Sequence, residues 1–235
     1  MSTSKALVEC RDVARTYGSG RAAVVALHGV HCAVAPGDQV AIVGPSGSGK
    51  STLLHLLAGL DTPTSGTVSW PALGDGALRP WPISVVFQGS SLLPPLDVLE
   101  NVAFPVLLLG VDRSMAIASA RAALARFGLE DLASKLPEEL SGGQAQRVAV
   151  ARALAASPRL ILADEPTGQL DHIAGREVID ALIETANATG AALVVSTHDP
   201  EFASRLEHRW DMTDGCLRTD NVDQPGSVRE EPCSV

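Results

Sequence analysis

The run Gly44-Pro45-Ser46-Gly47-Ser48-Gly49-Lys50-Ser51-Thr52 follows the pattern G-x-x-x-x-G-K-[ST] at Gly44, Gly49, Lys50 and Ser51. Glycines let successive backbone N–H groups converge on one anion, which side chains would otherwise obstruct. A helix leaving the loop adds its unpaired first-turn donors and the positive end of its dipole. That dipole is worth only about 0.3–1 kcal/mol at an exposed surface. An ammonium is needed too, and Lys50 is expected to hold the β- and γ-phosphates of a nucleoside triphosphate. The Ser51 hydroxyl suits Mg2+, a hard cation that keeps several waters and takes few protein ligands. A plain Gly/Ser turn is the rival reading. The context disfavours it, because an apolar strand over residues 40–43 runs into the loop and a helical stretch from Lys50 runs out.

Two further constellations carry chemistry. Leu160-Ile161-Leu162-Ala163-Asp164-Glu165 reads as an apolar strand ending in adjacent carboxylates. Doubly wound sheets gather ligands at the carboxyl ends of their strands, which places Asp164 to orient Mg2+ through water. Neighbouring side chains at a strand end point different ways, so Glu165 can address a water beyond the γ-phosphate as a general base. Leu140-Ser141-Gly142-Gly143-Gln144 precedes a stretch with an apolar face of Val148, Val150, Ala151, Leu154 and Ala155. Serine before two glycines at a helix start is either a plain cap or a second anion site, through its hydroxyl and unpaired N–H groups.

The elements that must hold these residues are legible in outline. Short β-branched runs alternate with stretches of helical period, which predicts an α/β fold with a mostly parallel core sheet, and the glycine loop makes the P-loop nucleoside-triphosphatase type the expected one. Strands are expected over 7–10, 24–27 and 30–34, separated by Gly18, Gly20, Gly29, Pro36 and Gly37, as an N-terminal antiparallel β layer. Buried strands are expected over 40–43, 85–87, 160–163 and 193–195. Pro94, Pro95 and Pro105 are read as punctuating a loop. Beyond it Ile117, Ala120, Leu124 and Phe127 fall at helical spacing, with Arg113, Arg121 and Arg126 for a polar face. The domain reading is therefore one domain over 1–219, with an inserted helical subdomain at about 90–145 and a disordered tail over 220–235.

Composition bounds the partners. The chain has 235 residues, and 18 Lys and Arg against 27 Asp and Glu leave a net charge of −9. With Lys5, Lys50 and Lys135 its only lysines, it lacks the dense basic face of a nucleic-acid binder. The opening residues lack an apolar signal region. The most apolar stretch, 92–111, is interrupted by Pro94, Pro95, Asp97, Glu100, Asn101 and Pro105, so no direct membrane span is expected. Cysteines 10, 32, 216 and 233 show no metal spacing and are expected to be thiols.

LSGGQ at 140–144, with the phosphate loop and the LILADE run, resembles the nucleotide-binding subunit of an ATP-binding cassette (ABC) transporter. The likeness spans about residues 5–219, in the family's motif order, and implies the ABC ATPase fold. It implies that Tyr17 stacks on adenine, that Gln88 touches Mg2+ and the attacking water and couples to a permease, and that Asp171 lies in the D-loop. It implies also that His198 hydrogen-bonds the γ-phosphate, and that two copies pair head to tail. The phosphate loop of one copy and the Ser141-Gly142-Gly143 segment of the other then close on one ATP. Leu60-Asp61-Thr62-Pro63-Thr64-Ser65-Gly66, Leu92-Leu93-Pro94 through Glu100-Asn101-Val102, and Leu162-Ala163-Asp164-Glu165-Pro166-Thr167-Gly168 further resemble the branch of macrolide exporters, lipoprotein-release complexes and the cell-division ATPase. Gln169, the short 67–88 segment and Gly89-Ser90-Ser91 depart from that branch.

The reading is an ATP-hydrolysing subunit that powers a transmembrane permease of exporter, efflux or mechanotransmission type. It would be cytoplasmic and held on the membrane's inner face through that permease. Two alternatives stand beside it: a soluble ABC ATPase of translation or repair, and a regulatory nucleotide-binding partner that hydrolyses weakly. Cargo selection belongs to the permease and is not written in this chain.

Overall fold

A β-bulge on each of two long strands sets up the first layer of the molecule. The computed structural model describes residues 5–74, 76 and 78–219, so the tail expected over 220–235 lies outside the described residues. The chain divides into two compact units, Met1–Asp75 with Ser196–Val235 and Gly76–Val195. In the first, β1 (Val8–Tyr17), β2 (Val24–Val34) and β4 (Ser65–Ser69) form an antiparallel sheet in the order β2-β1-β4. Gly29 does not separate two strands as its type suggested. The pairing runs from Val13↔Val30 to Arg15↔Leu27, so β2 carries one extra residue there, with Gly29 at φ 61°. On β1 the extra residue lies between Cys10 and Val13, where Asp12 takes φ 52°. Strand β4, with Thr67 and Val68 as its β-branched residues between serines and a glycine, lies outside the expected strands. Its pairing to β1 holds it, and a Cβ on Gly66 would collide with the Asp12 carbonyl.

The same unit carries β3 (Gln39–Val43), which pairs in parallel with β8 (His208–Thr213), and β9 (Cys216–Thr219), antiparallel to β8. Gln39 through Ile42 are buried in succession, the signature of a strand covered on both faces. Between β3 and β4 lies α1 (Lys50–Leu57), and α6 (Pro200–Ala203) is a single turn.

In the second unit β5 (Ile83–Val86) runs parallel to β6 (Leu160–Asp164), with Val86 opposite Ala163. Three helices, α2 (Val98–Leu108), α3 (Arg113–Ala125) and α4 (Gly142–Ala155), pack on one another. Pro94 and Pro95 sit in a loop, but Pro105 lies inside α2, a correction to the loop reading. Its missing N–H forfeits a single ladder bond, the one to the Asn101 carbonyl, and the turns before it keep theirs. The Asp97/Glu100 capping box starts α2. Fully buried Asn101 then binds the entry loop, accepting from Leu93 N and donating to the Leu93, Leu96 and Asp97 carbonyls at 2.8–3.1 Å. On α3, Ala120 and Leu124 face inward and Arg113 and Arg121 outward, as their spacing indicated. Helix α5 (His172–Thr189) leads to β7 (Ala192–Thr197), whose residues are all buried and whose end crosses into the first unit.

Cys10 and Cys32 are free thiols on opposed positions of β1 and β2. A hydrogen bond with Cys10, together with burial, raises the Cys32 pKa well above the ordinary thiol value. Cys216 is disulfide-bonded, contrary to the expectation of a thiol. The absence of a local Cys-x-x-Cys pattern carries no information on pairing with a distant residue. No helix among the described residues is long and apolar enough to cross a membrane.

Candidate functional site

Strand β3 delivers the chain into the glycine loop and α1 carries it away, as the spacing required. Pro45, Ser46 and Gly47 form the exposed tip, while Ser48 and Lys50 are buried. Gly47 and Gly49 take φ 81° and 105°, which L side chains rarely adopt. A Cβ on Gly49 would stand 2.5 Å from the Ala26 carbonyl oxygen, and one on Gly44 would collide with that of Met212. The Ser48 carbonyl accepts from Gly215 N at 3.0 Å, which ties the loop to the β8–β9 turn.

Three features of this loop point to an anion. Helices α2 to α6 each begin with a side chain that accepts a first-turn N–H: Asp97, Asp112, Ser141, Asp171 and Asp199. Helix α1 has Gly49 at that position and no side-chain cap, so its first-turn donors are not used by a capping side chain. Lys50 Nζ curls back onto the Gly44 and Pro45 carbonyls at 2.8 and 3.0 Å, which keeps the ammonium over the loop. The buried Ser48 hydroxyl has no hydrogen-bond partner among the described residues. Amide donors, an ammonium and a spare hydroxyl fit a polyphosphate. Ser51 is exposed on the first turn and Thr52 follows half-buried.

Elsewhere in this unit, Tyr17 ends β1 and is 39% exposed as a residue. Its hydroxyl donates to Asp61 at 2.9 Å, and the Arg15 guanidinium carbon lies 4.5 Å from the ring centroid. Hydrogen bonds from Thr62 N, Tyr17 and Arg15 outweigh desolvation and hold the Asp61 carboxyl below the usual carboxylate range. His198, exposed, follows β7 and precedes Asp199, whose N–H donates to Thr197 Oγ1.

The second unit holds the other candidates. Asp164 is the buried last residue of β6, and Glu165 follows half-buried at φ 42°. That left-handed backbone ends the strand at once and starts a turn closed by Gly168 N donating to the Glu165 carbonyl at 3.1 Å. Gln88 is exposed just beyond β5. Its flanks are gripped by α4: Gln146 Nε2 donates to the Phe87 carbonyl at 3.2 Å, and Arg152 donates to the Ser91 carbonyl and hydroxyl at 3.0 and 2.9 Å. Ser141 and Gln144 form a reciprocal capping box on α4, with Ser141 and Gly142 exposed. Gly143 packs close to Leu170, beside exposed Gln169. Asp171 caps α5 by accepting from Ala174 N at 2.9 Å.

Sequence spacing missed Arg15, Asp61, Gln146 and Arg152. Only Arg15 left a local signal, since residues two apart on a strand share a face and it stands two before Tyr17. The others meet their partners across 44 residues or more.

The ABC transporter family model matches residues 27–168. The lipoprotein-releasing system ATP-binding protein LolD of Shewanella frigidimarina is 40% identical over 97% of this chain and 99% of its own length. That of Geobacter metallireducens is 46% identical over 91% and 99%. A solved dimeric ATP-binding cassette in a post-hydrolysis state, bound to ADP and Pi, is 36% identical with a TM-score of 0.83 over 90% of this chain and 98% of that one. The α/β architecture, an antiparallel sheet beside mostly parallel strands, is thus the ATP-binding cassette fold. On motif, fold and near full-length identity together, this chain belongs to the ABC transporter family.

Proposed function

We propose that the protein binds ATP with Mg2+, hydrolyses it, and powers a transmembrane permease that releases lipoproteins from a membrane. The observation that carries this is the glycine loop around the uncapped start of α1, with the Lys50 ammonium held over the loop and the buried Ser48 hydroxyl left for a ligand. The near full-length identity to two lipoprotein-releasing ATP-binding proteins supports the kind of permease. Residues 1–219 serve as one nucleotide-binding domain that carries the helical subdomain. The protein is placed on the cytoplasmic face through its permease.

In this reading Gly44 to Thr52 wrap the phosphates, Lys50 bridges the β- and γ-phosphates, and Tyr17 faces the adenine. Ser51, Gln88 and Asp164 are hard oxygen donors that suit Mg2+ and would hold it; bound there, it neutralises phosphate charge. Glu165 takes a proton from water as the water oxygen bonds to the γ-phosphorus. The bond from that phosphorus to the β–γ bridging oxygen breaks, and ADP and phosphate leave. His198 donates to the γ-phosphate. Two copies close head to tail, so that Ser141, Gly142, Gly143 and Gln144 of one cap the nucleotide of the other, with Asp171 at the seam.

Steady-state ATP hydrolysis by the full chain, alone and with its co-expressed permease, tests the proposal. Permease-stimulated turnover that Lys50→Ala abolishes, with loss of nucleotide affinity, is the expected result. Nucleotide binding without turnover in the complex would instead favour the weakly hydrolysing regulatory role.

A further inference from the structure

Arg15, Tyr17 and Asp61 form a closed set of contacts that the hydrolysis chemistry does not use. Asp61 accepts from the Tyr17 hydroxyl and Arg15 Nε on one oxygen, at 2.9 Å each. Its other oxygen receives Arg15 Nη2 at 2.8 Å and Thr62 N at 2.7 Å. The carboxylate is thereby saturated, and the Arg15 fork engages it through both oxygens. The flat guanidinium meanwhile lies against the Tyr17 ring. A tyrosine at an exposed strand end would otherwise sample several orientations. Here its hydroxyl is fixed at one end and one ring face is covered.

The fixing point is itself rigid. Past the end of α1, Ala58 N donates to Leu54 O, Gly59 N to Leu56 O and Leu60 N to His55 O, at 2.8–2.9 Å. This wrapped terminus holds residues 58–60 onto α1, and Asp61 is next in the chain. The Tyr17 ring is therefore tied through Asp61 to the helix whose other end begins the phosphate loop.

We infer that Asp61 and Arg15 are positioning residues that fix the Tyr17 ring with one face open to a purine base. This rests on the proposed reading of Tyr17 as the adenine-facing residue. Ordering the ring before the base arrives removes an entropic cost from binding. The contribution belongs to the base and not to the phosphates.

Calorimetric titration of the full chain with Mg2+ and either ADP or pyrophosphate, which lacks the base, tests this. Asp61→Asn and Arg15→Ala are each expected to weaken ADP binding about five- to tenfold, within the range that base stacking supplies. Pyrophosphate affinity should change by less than about twofold. Tyr17→Phe keeps the ring but loses the tether, so it should weaken ADP and add nothing when combined with Asp61→Asn. With hydrolysis as readout, KM for ATP should rise while kcat holds. Unchanged ADP affinity in Asp61→Asn and Tyr17→Phe, with Tyr17→Ala weakened, overturns the inference and leaves the adenine reading standing. Tighter ADP binding in Arg15→Ala overturns it too, because Arg15 would then be obstructing the ring. If Tyr17→Ala itself binds ADP normally, the adenine reading fails and the inference falls with it.

Discussion

Glu165 occupies a left-handed backbone position, φ 42°, that a non-glycine residue enters at a cost of about 1–3 kcal/mol. Such strain persists where the surroundings over-determine it, and here it ends the buried strand β6 and opens the turn closed by Gly168 N on the Glu165 carbonyl. If this carboxylate is the general base, Glu165→Gln should retain ATP binding and lose at least about a hundredfold in hydrolysis. Parallel binding and turnover measurements check this, and near-normal turnover would remove Glu165 from the role. Two glycines separate close approach from mere convenience. Gly49→Ala drives a Cβ against the Ala26 carbonyl at a positive φ, so nucleotide binding should be lost. Gly143→Ala meets only the Leu170 side chain at 3.3 Å, which can shift. Binding of nucleotide to the isolated subunit should therefore survive in the second variant and fail in the first.

Helix α2 shows what a single buried polar side chain does for an element. Its proline and apolar composition would not by themselves hold the preceding loop against it. Asn101 does so, satisfying one donor and three acceptors of residues 93–97 with no exposure of its own. Asn101→Ala would leave Leu93 N and the Leu96 carbonyl without this partner, while the Leu93 and Asp97 carbonyls keep backbone donors, and a loss of about 2–4 kcal/mol is expected. Urea unfolding should show it as a lower midpoint. Asp97→Ala, which removes only the cap, should cost about 1 kcal/mol; equal losses in the two variants would refute the clamp. Helix α4 similarly grips both flanks of Gln88 through Gln146 and Arg152. Burial lowers the Arg152 pKa from its usual value.

At the scale of the molecule, acid stability follows from carboxylates held below their ordinary range. Asp61 is so held by Thr62 N, Tyr17 and Arg15, against desolvation. Asp112 owes its lowering first to the Ser114 hydroxyl, and Glu139 first to Leu136 N. A depressed pKa contributes stability that is fully present above the unfolded value, about 4, and is lost as pH falls through the lower folded value. Unfolding midpoints should thus drop as pH falls below about 4, and Asp61→Asn should flatten part of that drop. An unaltered profile in Asp61→Asn would deny the carboxylate its part. Head-to-tail pairing is also a property of the whole molecule. The hydrolysis-impaired Glu165→Gln chain should sediment as a dimer with ATP and as a monomer without it.

The phosphate loop, the Asp164-Glu165 strand end and the Ser141 cap were legible in the chain itself. Each is a contiguous run whose residue types carry the chemistry, and periods of two or 3.6 place such runs on strands and helices. Tertiary structure alone decided that Gly29 would be a bulge, that Ser65–Ser69 would be a strand and that Pro105 would stay helical. It also brought Asp61 to Tyr17 and Arg152 to Ser91. Pairing partners and long-range contacts override local propensity in these cases. No local pattern encodes a meeting of residues separated by more than 40 positions. Such contacts exist only once the elements between them have packed.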